Sequence, residues 1–362
     1  MLVTKPVLAD SWQSAVSSKV TTAYDTNPTM SPNYPGGVWR ILYEPGYLLT
    51  GRDGANELKA GLGLQIERSS NSALSANRDS PNLNLDWLRE GEINTFGISY
   101  KYIEIAVRNA GVDASGQGIN GTSASRALSG TWSRALSERS KLSVDGSHEA
   151  VTYKGGDFLD YELQRAGMRY SYDLSERNTP FIKVSADRYV PSGGGSPIRL
   201  PSALLGLDLK DENIDWTMQA GRFRDSEGNS GPLGLAGAHY TGEKNQLILN
   251  AGLLVFPSGL GGFVKGNQKK VSWIYALSEV SNAGIDLERS NYHYLEKSDI
   301  PSVALRQIDN SATITGAWME RGLNFFWKMR AYYQHRMNKF VGGNGAFSNV
   351  VGISFGYVNP DF

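Results

Sequence analysis

The chain of 362 residues contains no cysteine, which excludes a disulfide framework and any metal site built on thiolates. Its 36 basic and 36 acidic side chains cancel, so no excess of positive charge favours binding to a nucleic acid. No run of about 18 apolar residues occurs, which excludes a transmembrane helix. That absence does not bear on a transmembrane β-barrel, because barrel strands are apolar on one face only.

Proline is scarce at 14 residues, whereas glycine (41) and tyrosine (18) are abundant. Tyrosine is frequent in strands, and glycine is frequent in the tight turns that join them. The composition therefore favours many short connections between strands.

Apolar and polar residues alternate along the whole chain, while helical periodicity is nearly absent. The alternation is clearest in residues 58–67, 323–336 and 351–357. Successive side chains of a strand point to opposite faces, so each of these segments has one apolar face and one polar or small face. The runs reach about 10–14 residues, longer than the 5–6 typical of strands in soluble sheets. We therefore favour a membrane barrel over a soluble β-sandwich or solenoid.

About eighteen such segments occur, with 16 as the alternative count. We predict an all-β fold: a transmembrane, antiparallel, up-and-down β-barrel. Residues 12–362 form the single barrel, and residues 1–11 form an N-terminal periplasmic segment. The second strand is expected to break at Pro45-Gly46, and the register slips by one residue near 161–166. The segment centres are residues 18, 43, 62, 86, 101, 130, 147, 167, 184, 204, 218, 236, 250, 274, 287, 312, 329 and 353.

The connections alternate between very short charged turns and longer segments rich in Gly, Ser, Asn and Pro. Residues 52–54 and 242–245 are of the first kind, and residues 26–37 and 110–124 are of the second. Membrane barrels carry short turns on the periplasmic rim and longer loops on the extracellular rim. An even number of strands then places both termini on the periplasmic side.

A short repeat occupies the turns at residues 135–140, 173–178 and 276–279, each containing Leu-Ser-Glu. With Tyr172 to Thr179 it resembles the Tyr-x-Leu-Ser-x-Arg-Thr turns of Gram-negative porins. The terminal Phe362 is similar to the final aromatic residue that the barrel-insertion machinery reads in outer-membrane proteins. The opening segment 19–28 also resembles barrels encoded with exopolysaccharide systems. These resemblances imply a bacterial outer-membrane location.

The alternation assigns side chains to two faces. The polar face is predicted to line the lumen with Lys59, Glu67, Lys101, Asp145, Arg169, Lys183, Asp187, Asp215, Asp286, Glu288, Lys328 and Arg330. Aromatic residues near strand ends are predicted to form membrane girdles, namely Trp39, Trp87, Trp132, Trp216, Trp273, Trp318 and Tyr333.

No catalytic, metal or cofactor site is predicted. The four histidines, His148, His239, His293 and His335, are far apart in sequence and lack metal-ligand spacing. The Gly-x-Ser-x-Gly pattern at 352–356 lies inside a strand, whereas a nucleophile elbow requires a strand–turn–helix context.

Three functions fit a wide barrel without a long constriction loop. The first is a conduit that exports a polymer such as an exopolysaccharide with periplasmic partners. The second is a general diffusion porin for small solutes, and the third is a structural barrel that anchors or sheaths a partner protein. The expected partners are outer-membrane lipid and lipopolysaccharide, the insertion machinery, and a periplasmic protein or lipoprotein, but no nucleic acid.

Overall fold

The structure is a computed structural model that describes residues 11–34, 36–109, 120–155, 158–226, 228–295, 309–340, 343 and 345–360. The predicted periplasmic segment up to residue 10 and the terminal Phe362 lie outside the described residues and stay predictions. No helix among the described residues is long and apolar enough to cross a membrane.

Eighteen strands account for most of the described chain, and the described residues outside them include one 3-10 turn at Val107–Asn109. The strands are β1 (Ser11–Asp25), β2 (Val38–Asp53), β3 (Asn56–Ser69), β4 (Arg78–Glu90), β5 (Asn94–Ala106), β6 (Thr122–Ala135), β7 (Ser140–Lys154), β8 (Tyr161–Tyr172), β9 (Asn178–Pro191), β10 (Ile198–Lys210), β11 (Ile214–Arg224), β12 (Ser230–Thr241), β13 (Asn245–Pro257), β14 (Phe263–Ser278), β15 (Ser281–Tyr294), β16 (Asn310–Gly322), β17 (Trp327–Phe340) and β18 (Ala346–Asn359).

The sheet closes on itself. Each strand pairs antiparallel with the next one along the chain, and β1 pairs with β18 as well as with β2. Closure leaves no edge strand, so the backbone donors and acceptors of every strand have a neighbour on both sides. The predicted all-β antiparallel barrel of eighteen strands is confirmed, and every predicted segment centre falls inside its strand.

Two local predictions are wrong. β2 continues through Pro45, which pairs in register with Ser18 of β1. Only the ladder to β3 skips residues 44 and 45, because proline has no N–H to donate there. The register of β8 does not slip against either neighbour. The irregularity in the ladder lies instead in β14, between Ala276 and Ser278.

The two ends of the barrel differ. At one end the strands are joined by turns such as residues 54–55 and 242–244, and we call this the short-turn end. At the opposite end the connections are longer, such as residues 70–77 and 192–197, and we call this the long-loop end. β1 begins and β18 ends at the short-turn end, as the even strand count requires.

Residues that pair directly across neighbouring strands point to the same face of the sheet, so the pairings define two continuous faces around the whole ring. One face carries exposed apolar side chains, for example Leu62, Ile98 and Leu205. On the other face, side chains reach strands that are not neighbours, as when Arg336 of β17 contacts Asp25 of β1. The second face is therefore the concave, inward one. The structure carries the sequence alternation into an apolar exterior and a polar interior.

Gly221 is expected to tolerate no side chain. A Cβ added there would lie 1.9 Å from the backbone oxygen of Ala203, whereas one added at Gly356 would meet nothing within 4 Å. We expect Gly221→Ala to lower the free energy of unfolding by about 1–3 kcal/mol, because the backbone of β10 must move. Gly356→Ala is the matched control. Thermal unfolding in detergent, followed by the gel-mobility shift of folded barrels, measures both, and equal stability of the two variants would contradict the prediction.

Candidate functional site

The candidate site is the interior wall of the barrel. The cross-strand register places all twelve residues of the predicted lumen set on this inward face. They are Lys59, Glu67, Lys101, Asp145, Arg169, Lys183, Asp187, Asp215, Asp286, Glu288, Lys328 and Arg330. Their role in conduction stays a prediction.

The inward charges are mixed in sign and many form ion pairs. Arg169 lies 2.5 Å from Asp208, and Arg165 lies 3.4 Å from Asp187. Other pairs, such as Lys19 with Glu44 at 3.0 Å, link neighbouring strands. Charges of both signs are interspersed on this face, so no single sign dominates the wall.

A cavity of about 540 Å³ opens on this wall. Its lining comes from the continuous arc of strands that runs from β15 through β18 and β1 to β3. Its lining includes Lys19, Glu44, Trp318, Arg330 and Tyr332. It is polar and charged, as expected of a surface that faces water.

A buried charge cluster lies on the inward face near the long-loop end. The Asp25 carboxylate is fully buried and accepts hydrogen bonds from Arg40 at 2.8 Å and Arg336 at 2.6 Å. The Ser348 hydroxyl donates to the same carboxylate. Side chains of β1, of its neighbours β2 and β18, and of the more distant β17 are thereby joined inside the barrel.

Glu67 forms the second half of this cluster. Its carboxylate accepts hydrogen bonds from Arg78 at 3.4 Å and from the hydroxyl of Ser75 at 3.0 Å, and it forms an ion pair with the guanidinium of Arg108. Arg40 lies 4.0 Å away and connects the two halves. Burial, together with the nearby positive charge of Arg40, lowers the pKa of Arg108 to about 10.

The arginine cluster, defined as Asp25, Glu67, Arg40, Arg78, Arg108 and Arg336, contains four cations and two carboxylates. Among the described residues it therefore carries an excess of two positive charges. The Nε atoms of Arg40, Arg108 and Arg336 are buried and make no hydrogen bond in the described part of the chain. The sequence prediction included only Glu67, because alternation reveals which face a residue occupies but not its partners across the barrel.

An apolar cluster fills another part of the interior at the long-loop end. Its buried members lie on the inward faces of β7–β11, with Phe263 at the start of β14. They are Val151, Tyr161, Leu163, Tyr189, Ile198, Leu200, Phe223 and Phe263. The Tyr189 hydroxyl donates to the carbonyl oxygen of Ser258 at 3.0 Å, so the connection that follows β13 turns inward over this cluster.

Two short connections meet above the apolar cluster. The backbone N–H of Leu159, between β7 and β8, donates to the carbonyl of Gly259, between β13 and β14, at 2.6 Å. β9 to β12 lie between these two sites around the ring. Leu260 is 2% exposed and packs with Val264, Tyr292 and Tyr294. We call residues 158–160 and 258–262 the constriction. The sequence predicted no long constriction loop. The two connections that touch here are short, and they meet at the long-loop end across β9 to β12.

The remaining sequence candidates for chemistry stay separate. No group of three or more His, Cys, Asp or Glu side chains that could hold a metal ion occurs in the described ranges. Ser354 of the Gly-x-Ser-x-Gly pattern lies within β18, where it pairs with Arg330 and Thr21. A residue in mid-strand lacks the sharp turn that exposes a nucleophile.

Comparison with known proteins gives likeness of fold alone. No protein-family model and no curated protein matches the chain. OccK2 (OpdF) of Pseudomonas aeruginosa, solved in complex with glucuronate, is 9% identical with a TM-score of 0.53, covering 97% of this chain and 99% of that one. The outer membrane protein OpdK of the same organism is 8% identical with a TM-score of 0.53, covering 97% and 100%. The ferric citrate transporter FecA is 13% identical with a TM-score of 0.49. The match covers 93% of this chain, which spans 61% of the length of FecA.

The chain is an outer-membrane β-barrel. Its architecture is that of channels and transporters of the Gram-negative outer membrane. In this setting the short-turn end of the barrel is periplasmic and the long-loop end is extracellular. The arginine cluster and the constriction therefore both lie toward the outside of the cell.

The girdle prediction contains one error. Trp318 lies on the inward face of the barrel, where its Nε1–H donates to Asp286 at 3.0 Å. The guanidinium of Arg330 lies over its ring at 4.1 Å. The prediction considered only closeness to a strand end and not the face that the side chain occupies. Because successive side chains alternate between faces, Ala317 and Met319 point outward on β16 and Trp318 points inward. A tryptophan is stable on a polar wall when its N–H and its ring face both have partners.

The other six predicted girdle residues lie on the outward face of the barrel. They are Trp39, Trp87, Trp132, Trp216, Trp273 and Tyr333. Trp39 is near the extracellular end, whereas Trp87, Trp132, Trp216 and Trp273 are near the periplasmic turns. The prediction omitted Trp327, which is 43% exposed beside Tyr357 with ring centroids 5.1 Å apart. Trp327 belongs to the apolar series of the alternating run 323–336, and this position was the signal that could have placed it in the girdle.

Proposed function

We propose that this barrel is a passive diffusion channel for small hydrophilic solutes. The observation that carries the proposal is the constriction, in which Leu159 and Gly259 are joined by a backbone hydrogen bond. A passage narrowed at its extracellular mouth suits small solutes better than an extended polymer. The charged inward wall supports water-filled passage.

The arginine cluster favours anionic solutes within this class. Its excess of two positive charges is carried by buried side chains, where a charge is poorly screened. Carboxylates the size of glucuronate, which is bound in the OccK2 structure, are therefore suitable test solutes. The proposal assigns transport to the barrel and not catalysis. Export of a polymer and anchoring of a partner protein remain predictions from the sequence.

The purified barrel alone is expected to conduct in a planar bilayer and to admit glucuronate, but not a long dextran, into liposomes. The periplasmic half of the wall should contribute to selectivity through Lys328 and Arg330, which border the cavity. Lys328→Glu/Arg330→Glu is expected to shift the zero-current potential in a KCl gradient toward cation selectivity, because the wall loses two positive charges and gains two negative ones.

Arg89→Glu/Arg321→Glu is the matched control, since both residues are at the same end of the barrel but on its outward face. This variant should leave the zero-current potential close to that of the wild type. A barrel that stays closed without a partner would overturn the diffusion proposal and favour export or anchoring.

A further inference from the structure

The outward face of β14 and β15 loses its apolar character toward the extracellular end. On β13 the outward residues remain apolar from Leu247 to Leu253. On β14 the apolar outward series ends at Val271, and on β15 it ends at Leu287. Above that level the outward side chains are Lys269 and Asn267 on β14, and Arg289, Asn291 and His293 on β15. The apolar band is therefore lower here than on the adjacent β13.

Two cations face each other within this region. Lys269 pairs in register with Arg289, so their Cβ atoms are about 5 Å apart. Both side chains are exposed. Like charges directly opposite on a sheet repel each other. An anion bound between them would convert the repulsion into attraction.

The carboxylates of the described chain do not neutralise these cations. Lys269, Arg289 and Lys339 form no ion pair within the described residues, in contrast to many charges on the inward wall. Asp309 is the acidic side chain that lines the adjoining cleft, and its carboxylate lies 2.6 Å from His293.

A cleft of about 490 Å³ adjoins the cations. Lys339 lines it as a cation, and Asn267, Asn291 and Ser311 line it with amide and hydroxyl groups. Leu253 of β13 provides an apolar wall on one side. Such a combination of cations and neutral donors suits a phosphate group that carries several acceptor oxygens.

We propose that this basic patch, defined as Lys269, Arg289 and Lys339, binds the phosphorylated headgroup of a lipopolysaccharide in the outer leaflet. The patch faces the lipid and lies toward the extracellular side. Val271 and Leu287 lie directly below the two opposed cations, where acyl chains of the same lipid would run. This continuity of charged and apolar surface selects a lipid headgroup over a free anion. The inference does not depend on which solute passes through the lumen.

Native mass spectrometry of the detergent-solubilised full chain tests the proposal with lipid A carrying two phosphates and with the same lipid without phosphates. The wild type is expected to bind the first lipid and to bind the second much more weakly. Lys269→Gln/Arg289→Gln is expected to bind the phosphorylated lipid roughly tenfold more weakly, as two cations near an anionic lipid imply.

The control variant is Lys101→Gln/Lys270→Gln, which removes two positive charges from the inward face. Lys270 is the chain neighbour of Lys269. The control therefore distinguishes an effect of cations on the lipid-facing surface from an effect of the protein's net charge. The control should bind the phosphorylated lipid as the wild type does. The single change Lys339→Gln gives a second test, with a smaller loss, should the double variant fail to fold.

Equal binding of the phosphorylated lipid by the patch variant and the wild type would overturn the proposal. Equal binding of the two lipids by the wild type would also overturn it, because the phosphates would then contribute nothing. Displacement of the lipid by a comparable concentration of inorganic phosphate would show a general anion site and contradict the choice of a lipid headgroup.

Discussion

Replacing Glu67 by glutamine is expected to lower the free energy of unfolding by about 3–5 kcal/mol, the usual cost of removing one member of a buried ion pair. Glu67 is 2% exposed and receives Arg78 and Arg108, with Arg40 at 4.0 Å. A neutral amide would leave three guanidinium groups close together without their shared counter-charge. Thermal unfolding in detergent, read from the gel-mobility shift of the folded barrel, measures the loss.

Asp79→Asn is the matched control for Glu67→Gln. Asp79 follows Arg78 in β4 and pairs with Arg68, but both side chains are more than half exposed. Exposed ion pairs contribute about 0–1 kcal/mol, so this variant should unfold near the wild-type temperature. If the two variants lost similar stability, burial would not be what makes the arginine cluster important.

Replacing Leu260 by glutamine is expected to widen the extracellular mouth and raise the single-channel conductance. Leu260 is 2% exposed among Val264, Tyr292 and Tyr294. A buried amide without hydrogen-bond partners costs about 1–3 kcal/mol by mutational measures, so residues 258–262 should move out of the mouth. Planar-bilayer recording of single channels measures the change, and dextran entry into liposomes measures the size limit.

Leu174→Gln is the control for the Leu260 variant. Leu174 is 62% exposed in a periplasmic turn, so the same chemical change there should leave the conductance unaltered. A conductance of the Leu260 variant equal to that of the wild type would mean that the constriction does not limit flow. The diffusion proposal would then lose the observation that carries it.

The strands and their two faces were predictable because a period of two residues is a local property of the chain. Residues 58–67 alone assign Leu62 outward and Lys59 inward. Trp318 was assigned to the wrong face because the prediction considered closeness to a strand end and not the alternation of side chains between the two faces. Pro45 was misjudged because the loss of one N–H interrupts only the ladder to β3, while the pairing with β1 keeps the strand intact.

The sequence by itself determined the inward and outward faces, the alternation of short turns with long loops, and a strand number near eighteen. Only the tertiary structure decided which side chains meet across the interior. Closure of the ring brings Asp25 to Arg336, 311 residues apart, and joins the connections at Leu159 and Gly259. The register of the β14–β15 hairpin sets Lys269 opposite Arg289 on the lipid-facing surface. These contacts depend on strand register and ring closure, and no local pattern of residues encodes either.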